Sequence, residues 1–382
     1  MYKPVYRGVA SPVFLSFHKL LRDICLRESI DLVHAHGSLS FLGMEAIRAA
    51  HTYDIPTCFT DHSLFAFNDT GSIVANKLLK TNLSVVSHVI CVSHTGRENT
   101  VLRGALDPVN CSVIPNAVDC NTFRPDVSRR PSNRINIIVV SRLVFRKGID
   151  LLVGIIPIIC AKFPSVDFII GGDGPKRLLL DEMIDSHQLH SRVNLVGALD
   201  TKGVVDLLVQ GHIFLNCSLT EAFCMAILEA ASCGLLVCST SVGGIPEVLP
   251  KHMVRLANAE VDDLVEALSS AINEVRDISP HQFHAQVRNM YGWDQVAVRT
   301  ERVYEKLMSD PPISLVERIR LMYAVGFFAG KMFLFMIGAH LLLCRLIEWY
   351  SPAAEIEKAQ PIPVAKFRES WSSIAARKES KP

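Results

Sequence analysis

Short apolar runs alternate with segments of helical period along almost the whole chain, and this alternation is the strongest constraint on its fold. The runs are continuously apolar, which is typical of strands that are buried on both faces. Buried strands joined by helices form a parallel sheet with helices on each side, so we predict an α/β fold. The predicted strands are residues 31–36, 57–62, 88–93, 111–116, 136–141, 166–171, 192–197, 212–216 and 235–240. The clearest predicted helices are residues 149–163, 176–187 and 225–232.

The predicted strands fall into two groups, which are separated by a polar segment at residues 119–134. This segment contains two prolines and no apolar periodicity, a composition typical of a linker. A chain of 382 residues can bury a separate core on each side of it. We therefore predict two doubly wound, Rossmann-like domains at residues 1–118 and 135–290. The carboxyl ends of their strands should face a cleft between the domains, because ligands of open parallel sheets bind there.

Charge and cysteine content exclude several classes of protein. The formal net charge of +1 indicates no basic surface for nucleic acid, so we predict no nucleic-acid partner. The eleven cysteines include no CxxC pair. This distribution indicates reduced thiols in a chain that faces the cytosol, and it argues against a disulfide framework or a zinc site. We predict no metal site.

A long apolar segment, "LMYAVGFFAGKMFLFMIGAHLLL", occupies residues 321–343 near the carboxyl end. It is about as long as one bilayer crossing, and it raises the mean hydropathy to +0.27, which is high for a soluble protein. Lys331 and His340 interrupt the segment, and a lysine at a helix centre costs roughly 2.5–3.5 kcal/mol on insertion. A buried core helix is the alternative. Because many large apolar residues offset the lysine, we predict one transmembrane helix region at residues 321–347.

Candidate ligand-binding residues follow two neighbouring predicted strands. The stretch "SRLVFRKG" places Arg142 and Lys147 on one loop, where they can bind a diphosphate, although a solvated pair is the simpler alternative. The stretch "GGDGP" places Gly172 and Gly174 in a tight turn before a helix, and we include this turn in the predicted donor site. The glycine spacing matches neither a dinucleotide fingerprint nor a Walker loop, so neither a nicotinamide cofactor nor ATP is predicted.

The stretch "SLTEAFCMAILEAASCGL", residues 218–235, contains two glutamates with seven residues between them. Glu221 lies in a predicted loop, and Glu229 lies within an otherwise apolar helix. For either one alone, a helix-terminal or core glutamate with satisfied hydrogen bonds is the simpler alternative. The start of this helix offers free backbone N–H groups to a phosphate. Glu229, two turns further on, can accept hydrogen bonds from a ribose diol of the same nucleotide.

In this order, and each at a strand end, these motifs resemble those of retaining GT-B glycosyltransferases of family 4. The resemblance is closest over residues 114–249, and the glutamates are similar to the E-x7-E pair of that family. It implies a catalytic position for Glu221 at the donor hexose and a ribose contact for Glu229. It also implies that Arg142 and Lys147 hold the pyrophosphate, so that the reaction needs no metal.

Further segments narrow the resemblance to the catalytic subunits of phosphatidylinositol N-acetylglucosaminyltransferase, which begin glycosylphosphatidylinositol (GPI) anchor synthesis. These segments include "TDHSLF", "SVIPNAVD", "FIIGGDGPKR" and "VGGIPEVLP", and the resemblance extends over residues 30–350. Ala222 and Cys224 occupy positions where most of family 4 has glycine, a substitution that this subfamily shares. The resemblance therefore points to one particular reaction within the larger family.

Three histidines lie at the ends of the first two predicted strands. His62, in "TDHSLF", falls where the family has a histidine near the sugar, so it is a predicted catalytic residue. A satisfied strand-end histidine is the alternative for this position. His34 and His36, in "VHAHG", are predicted to be structural or to lie on the acceptor side.

The narrower resemblance implies transfer of N-acetylglucosamine from UDP-GlcNAc to phosphatidylinositol, without a cofactor. It implies a single-pass protein of the endoplasmic reticulum membrane, with its catalytic domains in the cytoplasm and other membrane subunits as partners. Lys and Arg number four in residues 301–320 and two in residues 344–363, which agrees with that orientation. Residues 291–320 should contain a helix that crosses back over the first domain, and residues 348–382 should form a short polar tail.

One departure from the family concerns the first thirty residues. The family opens with a strand and a glycine-rich loop, whereas residues 12–28 here predict a helix. We therefore expect the first domain to be truncated at its amino end, and this leaves two alternatives open. The chain could be a catalytically silent subunit that binds a nucleotide sugar, or it could be a family 4 transferase with another donor or acceptor.

Overall fold

A computed structural model of the chain describes residues 5–6, 9–10, 16–65, 70–310, 315–323 and 326–360. Its strands are β1 (Val5–Tyr6), β2 (Val9–Ala10), β3 (Val33–His36), β4 (Thr57–Asp61), β5 (His88–Cys91), β6 (Cys111–Val113), β7 (Ile135–Val140), β8 (Val166–Gly171), β9 (Val193–Gly197), β10 (Ile213–Asn216), β11 (Leu236–Thr240) and β12 (Val254–Ala257). Its helices are α1 (Ser16–Arg27), α2 (Phe41–Thr52), α3 (Thr70–Leu83), α4 (His94–Gly104), α5 (Ile149–Lys162), α6 (Arg177–Ser186), α7 (Thr201–Leu208), α8 (Met225–Ser232), α9 (Val261–Glu274), α10 (Pro280–Tyr291), α11 (Trp293–Ser309), α12 (Leu315–Tyr323) and α13 (Phe327–Tyr350).

The second half of the chain forms a six-stranded parallel sheet in the order β12-β11-β10-β7-β8-β9. The sequence of β7, "INIIVV", is apolar throughout apart from one asparagine, as expected of a central strand covered on both faces. Strand order reverses between β7 and β10, whose residues Ile137 and Ile213 are paired. A crevice opens at such a switch point, beyond the carboxyl ends of the two strands.

Helices cover both faces of this sheet and enclose one large hydrophobic core. Phe168, Phe214 and Ile155 are among the large side chains that are fully buried in it. Each contributes roughly 1.5–3 kcal/mol of burial free energy before conformational entropy is subtracted. The second half is therefore a stable platform for the loops that follow β7 and β10.

The first half forms a four-stranded parallel sheet in the order β3-β4-β5-β6. Phe59 on one face packs with Ile47 and neighbouring side chains of α2 and α3. On the other face, Val303 and Leu307 of α11 pack against the sheet. Because α11 follows the second half in sequence, this contact places a late helix of the chain on the sheet of the first half.

All nine predicted strands are present, and the strands β1, β2 and β12 were not predicted. The predicted helix over residues 12–28 corresponds to α1, Ser16–Arg27. The predicted truncation remains a prediction, because residues 1–4, 7–8 and 11–15 lie outside the described residues. The exact boundaries of the two domains and the linker also remain predictions.

The carboxyl-terminal segment contains helices α12 and α13. Helix α12 ends at Tyr323 and α13 starts at Phe327, while residues 324–325 and 361–382 lie outside the described residues. Among the residues that are described, no helix has both the length and the apolar character needed to cross a bilayer. The predicted transmembrane helix is therefore not confirmed. Helix α13 packs on α1 and α2, where the ring centroids of His18 and His340 are 4.2 Å apart.

Candidate functional site

A cavity of about 250 Å³ lies at the carboxyl ends of β4, β7 and β10, between the two halves of the chain. The loop after β4 forms one wall, and the loops after β7 and β10 form the other. Its lining residues are His62, Ser63, Leu64, Phe65, Arg142, Val144, Arg146, Lys147, Thr220, Glu221 and Ala222. The cavity thus brings together four of the predicted site residues, His62, Arg142, Lys147 and Glu221.

The loop after β7 carries three cations into the cavity and is fixed by close backbone contact. It ends in a single 3₁₀ turn, Phe145–Lys147, followed by Gly148 with a φ of 67°. A Cβ atom on Gly148 would lie 1.8 Å from the carbonyl oxygen of Cys217, so only glycine fits. The Leu219 N–H donates to the carbonyl oxygen of Arg146 at 2.9 Å. The two loops therefore hold each other in place.

The glycine turn after β8 packs against the loop that carries Arg142. Gly172 and Gly174 have φ values of 134° and 156°. A Cβ atom on Gly172 would lie 1.8 Å from the Ser141 carbonyl oxygen, and one on Gly174 would lie 2.5 Å from that of Leu143. Neither glycine lines the cavity. They let the turn pack under the loop that carries Arg142, and their predicted contact with the donor remains a prediction.

Glu221 is held in the wall of the cavity by its neighbours. The Lys147 ammonium donates to Oε1 of Glu221, and the two form a half-buried ion pair. The Ser218 hydroxyl lies 2.9 Å from that same oxygen and 2.9 Å from Oδ1 of Asn216, so it can donate to either one. Asn216 in turn donates to Ser239 of β11 at 2.9 Å. A chain of hydrogen bonds thus connects Glu221 to the sheet.

Glu229 lies in helix α8 and does not line the cavity. Burial raises the pKa of its carboxyl group to about 7. Cys224 precedes the helix with a left-handed φ of 56°, and its side chain does not cap the first backbone N–H groups. This conformation explains why glycine suits the Cys224 position. It also leaves the start of α8 without a hydrogen bond from its N-cap side chain.

His62 follows β4 on the opposite wall, beside two further histidines. Its Nε2 lies 3.1 Å from Nδ1 of His36, and the two rings are stacked. His34 contacts the Thr60 hydroxyl at 2.7 Å and the Tyr304 hydroxyl at 2.6 Å. Burial, then the nearby His36, lowers the pKa of His62, and burial lowers the pKa of His34 to about 4. This cluster therefore stays largely neutral near pH 7.

A buried charged network fixes the loop that carries His62. Asp61 accepts hydrogen bonds from Arg103 at 2.7 Å and Thr100 at 2.8 Å, both on α4. It also accepts from the Ser63 N–H at 2.9 Å and from the Ser38 hydroxyl at 2.7 Å. The Asp61 and Arg103 side chains are almost fully buried. The network connects strand β4, its loop and helix α4.

Sequence reasoning missed two features of this site. Arg146 lines the cavity beside the two predicted cations, and its place in "SRLVFRKG" was a signal that could have revealed it. Leu64 and Phe65 extend the cavity toward a second one of about 420 Å³, whose lining also includes Thr220 and Leu102 of α4. Only the folded chain brings that helix beside the cleft.

Comparison with known proteins identifies the class of the fold. A family model described as "Glycosyl transferases group 1" matches residues 122–290, and one described as "PIGA (GPI anchor biosynthesis)" matches residues 1–69. Sucrose-phosphate synthase from Thermosynechococcus elongatus superposes with a TM-score of 0.67 at 19% identity, over 80% of this chain and 82% of that chain. The two parallel sheets that face one cleft are those of a GT-B glycosyltransferase.

Similarity to curated proteins is much closer within that class. The phosphatidylinositol N-acetylglucosaminyltransferase gpi3 subunit of Schizosaccharomyces pombe is 51% identical over 357 residues, which cover 93% of this chain and 78% of that protein. The phosphatidylinositol N-acetylglucosaminyltransferase subunit of Homo sapiens is 48% identical over 363 residues, which cover 94% of this chain and 74% of that protein. The chain belongs to this family of phosphatidylinositol N-acetylglucosaminyltransferase subunits.

Proposed function

We propose that this chain transfers N-acetylglucosamine from UDP-GlcNAc to phosphatidylinositol, the first step of GPI-anchor synthesis. The observation that carries the proposal is the cavity between the two halves. It sets Arg142, Lys147 and Glu221 on one wall and His62 on the other. The printed names of the relatives support the choice of N-acetylglucosamine and phosphatidylinositol.

The second half takes the donor in this proposal. The diphosphate lies against Arg142 and Lys147, whose charges offset the two phosphate groups. The N-cap side chain, that of Cys224, does not bind the first backbone N–H groups of α8. These N–H groups are therefore offered to the same phosphates. Glu229 accepts hydrogen bonds from the ribose, and Glu221 contacts the hexose. Because the cations supply the positive charge, the proposed reaction requires no metal.

The transfer is proposed to retain the configuration at the anomeric carbon. The leaving diphosphate accepts the proton of the attacking inositol hydroxyl on the same face of the sugar, so the chain supplies no nucleophile. His62 lies near the sugar and, as a neutral ring, can accept or donate one hydrogen bond. The contribution of the chain is to position the reactants and to stabilise charge on the leaving group.

The acceptor is proposed to reach the sugar from the first half. The second cavity adjoins the donor cavity through Leu64, Phe65 and Thr220, which line both. This gives room for a head group next to the sugar. We further propose that the protein works at the endoplasmic reticulum membrane with its two halves in the cytoplasm, where UDP-sugars are made. The word "subunit" in the names of its relatives supports the presence of partner subunits.

The direct test is a donor panel assay in membranes from cells that lack the first step of GPI-anchor synthesis and express this chain. Transfer of N-acetylglucosamine to phosphatidylinositol should appear with UDP-GlcNAc and persist in the presence of a metal chelator. Transfer from a different nucleotide sugar would favour another family 4 activity. Binding of UDP without any transfer would favour a catalytically silent subunit.

A binding measurement tests the donor site separately. Lys147→Ala should weaken UDP binding by roughly 1.5–3 kcal/mol, because it removes a charge-assisted hydrogen bond. Lys176→Ala is a matched control, since Lys176 pairs with Asp150 outside the cavity. Calorimetry with UDP should separate the two variants. Equal affinities for both would contradict the proposed phosphate contact.

A further inference from the structure

Glu247 connects the two halves at the edge of the cleft. It belongs to the second half, where it ends the single 3₁₀ turn Ile245–Glu247. Its carboxylate accepts hydrogen bonds from the backbone N–H groups of His94 at 2.6 Å and Thr95 at 2.8 Å, and from the Thr95 hydroxyl at 2.7 Å. These groups form the amino end of helix α4 in the first half. The reaction chemistry described above makes no use of this contact.

The turn before Glu247 is in direct contact with the loop that carries Glu221. The Gly244 N–H donates to the carbonyl oxygen of Glu221 at 2.9 Å. A Cβ atom on Gly243 would lie 2.1 Å from that oxygen, and one on Gly244 would lie 2.2 Å from the carbonyl oxygen of Ala222. The turn is therefore packed tightly against the Glu221 loop.

Helix α4 is in direct contact with the loop that carries His62. Its residues Thr100 and Arg103 bind Asp61, and the Asn99 amide donates to the Phe65 carbonyl oxygen at 3.0 Å. At the amino end of α4, the buried Ser93 hydroxyl donates to the carbonyl oxygen of Ala222 at 2.7 Å. One helix thus touches both catalytic walls.

The two contacts at this end of α4 differ in exposure. Ser93 is 2% exposed, whereas Glu247 belongs to the exposed surface. Burial opposes the ionisation of Glu247, but the Thr95 hydroxyl and the two backbone N–H groups outweigh it and hold its pKa below the ordinary value. Because the Glu247 carboxylate is exposed, it can exchange these hydrogen bonds for hydrogen bonds to water, and the contact can therefore open and close. The Ser93 contact can then serve as the pivot of that movement.

We propose that Glu247 is a positioning residue for sugar transfer, which holds the two halves closed by binding the amino end of α4. In the closed arrangement, His62 and Glu221 face the same sugar. When the contact opens, the two walls separate and the acceptor is no longer aligned with the donor. This inference rests on the proposed function, because it assigns a role to Glu247 in that reaction.

Kinetics with the full chain in its membrane complex tests this role. Glu247→Ala should lower kcat about five- to ten-fold, because misaligned reactants react slowly. Its affinity for UDP should stay within about two-fold of the unmodified chain, since the proposed UDP contacts lie within one half. Glu247→Gln keeps one acceptor oxygen, so its loss of kcat should be about half that of Glu247→Ala on a logarithmic scale.

Asp200→Ala is the matched control, because Asp200 accepts from the Gly203 N–H at 2.7 Å and caps α7 within the second half alone. It should lower stability without changing kcat. An unchanged kcat in Glu247→Ala would overturn the inference. So would a loss of UDP affinity as large as the loss of kcat, because the damage would then be local to the second half.

A distance measurement decides the inference without any activity. Spin labels on unnatural amino acids at the exposed positions Val109 and Leu178 would report the separation of the two halves. The distance distribution should broaden in Glu247→Ala and stay narrow in Asp200→Ala. Identical distributions would overturn the inference. Absence of transfer by the unmodified chain would refute the proposed function instead, and these distances would still give the answer for Glu247.

Discussion

The two halves of the chain position their site residues by different means. In the second half, Gly148 and Gly172 allow loops to pack with backbone atoms so close that no Cβ would fit. In the first half, Gly37 follows β3 with a φ of 81°, and a Cβ there would meet nothing within 4 Å. The first half instead fixes its loop through the buried ion pair of Asp61 and Arg103. Backbone packing therefore shapes the donor wall, and charged side chains shape the facing wall.

The two sheets also differ in the order of their strands. The six strands of the second sheet reverse their order between β7 and β10, and this reversal creates the crevice. The described strands of the first sheet follow one another in sequence order. Exposed apolar side chains also lie near their carboxyl ends, with Leu39 at 61% and Phe41 at 45% exposure. Topology therefore preorganises the donor wall, whereas the facing wall depends on a few polar contacts.

The largest expected effect comes from filling a backbone contact in the second half. Gly148→Ala should lower the free energy of unfolding by more than about 4 kcal/mol, because its Cβ would overlap the Cys217 carbonyl oxygen. Gly37→Ala should lower it by only about 1–2 kcal/mol, the cost of a left-handed alanine in open space. Chemical denaturation of both variants would measure the difference. Equal losses would mean that the two halves do not differ in this way.

A somewhat smaller loss is expected from the charged network in the first half. Asp61→Asn should lower the free energy of unfolding by about 3 kcal/mol, because it leaves the Arg103 charge buried without its partner. Asp150→Asn, which removes the exposed partner of Lys176, should change it by less than about 0.5 kcal/mol. Thermal unfolding of the two variants gives the comparison. A small loss in Asp61→Asn would show that backbone packing fixes both walls.

Nucleotide binding should depend on pH through Glu229. Its pKa of about 7 means that the carboxyl group ionises as the pH rises through neutrality, and the carboxylate is the stronger acceptor for ribose hydroxyls. UDP affinity should therefore rise by roughly ten-fold between about pH 6 and pH 8. In Glu229→Gln, the part of this rise in UDP affinity that is due to the Glu229 carboxyl group should disappear. Calorimetry at both pH values measures it, and identical pH profiles would contradict the role of Glu229.

The same pKa predicts the stability of the nucleotide-free protein. Burial raises the pKa of Glu229 from 4.5 in the unfolded chain to about 7 in the folded one, so the folded state binds the proton more tightly. Folding stability should therefore fall as the pH rises from about 4.5 through 7. Glu229→Gln removes this contribution. Melting temperatures of the two proteins should diverge as the pH rises, and parallel curves would count against the shifted pKa.

The smallest effect is expected at Cys224. Replacing it by glycine relieves a left-handed φ of 56°, worth roughly 1 kcal/mol, but it also removes a buried side chain of similar value. Cys224→Gly should therefore change stability by less than about 1 kcal/mol. Cys233→Gly, at a buried position with an ordinary φ of −75°, should lose clearly more. A large loss in Cys224→Gly would show that the thiol packing dominates.

The sequence was sufficient for the parts of the structure that local pattern determines. Continuous apolar runs predicted the parallel strands, and the spacing in "GGDGP" predicted a tight turn at Gly172 and Gly174. Strand β12 was not predicted because its sequence "VRLA" is short and only partly buried. The cavity includes His62, Arg142, Lys147 and Glu221 because strand ends of parallel sheets meet at one edge.

Contacts between distant segments could not be predicted in the same way. Ser93 and Ala222 are 129 residues apart, and Thr95 and Glu247 are 152 apart. No local periodicity encodes which loop approaches which helix. The segment at residues 321–343 shows the opposite limit: apolar composition predicted one spanning helix but gave no helix boundaries, and the described residues place the end of α12 at Tyr323 and the start of α13 at Phe327. Composition measures hydrophobicity and does not specify where a helix ends.

The ion pair between Lys147 and Glu221 neutralises one of the three cations that line the free site. An anion that binds Lys147 must take it away from the carboxylate, so from this contact a ligand gains only the difference between two partners. Inorganic phosphate offers Glu221 nothing in return, whereas a nucleotide sugar brings hydroxyl groups that can satisfy the released carboxylate. We expect the pair to act as a filter against the small anions of the cell. Competition of phosphate with UDP-GlcNAc should therefore be weak, and it should strengthen in Glu221→Gln.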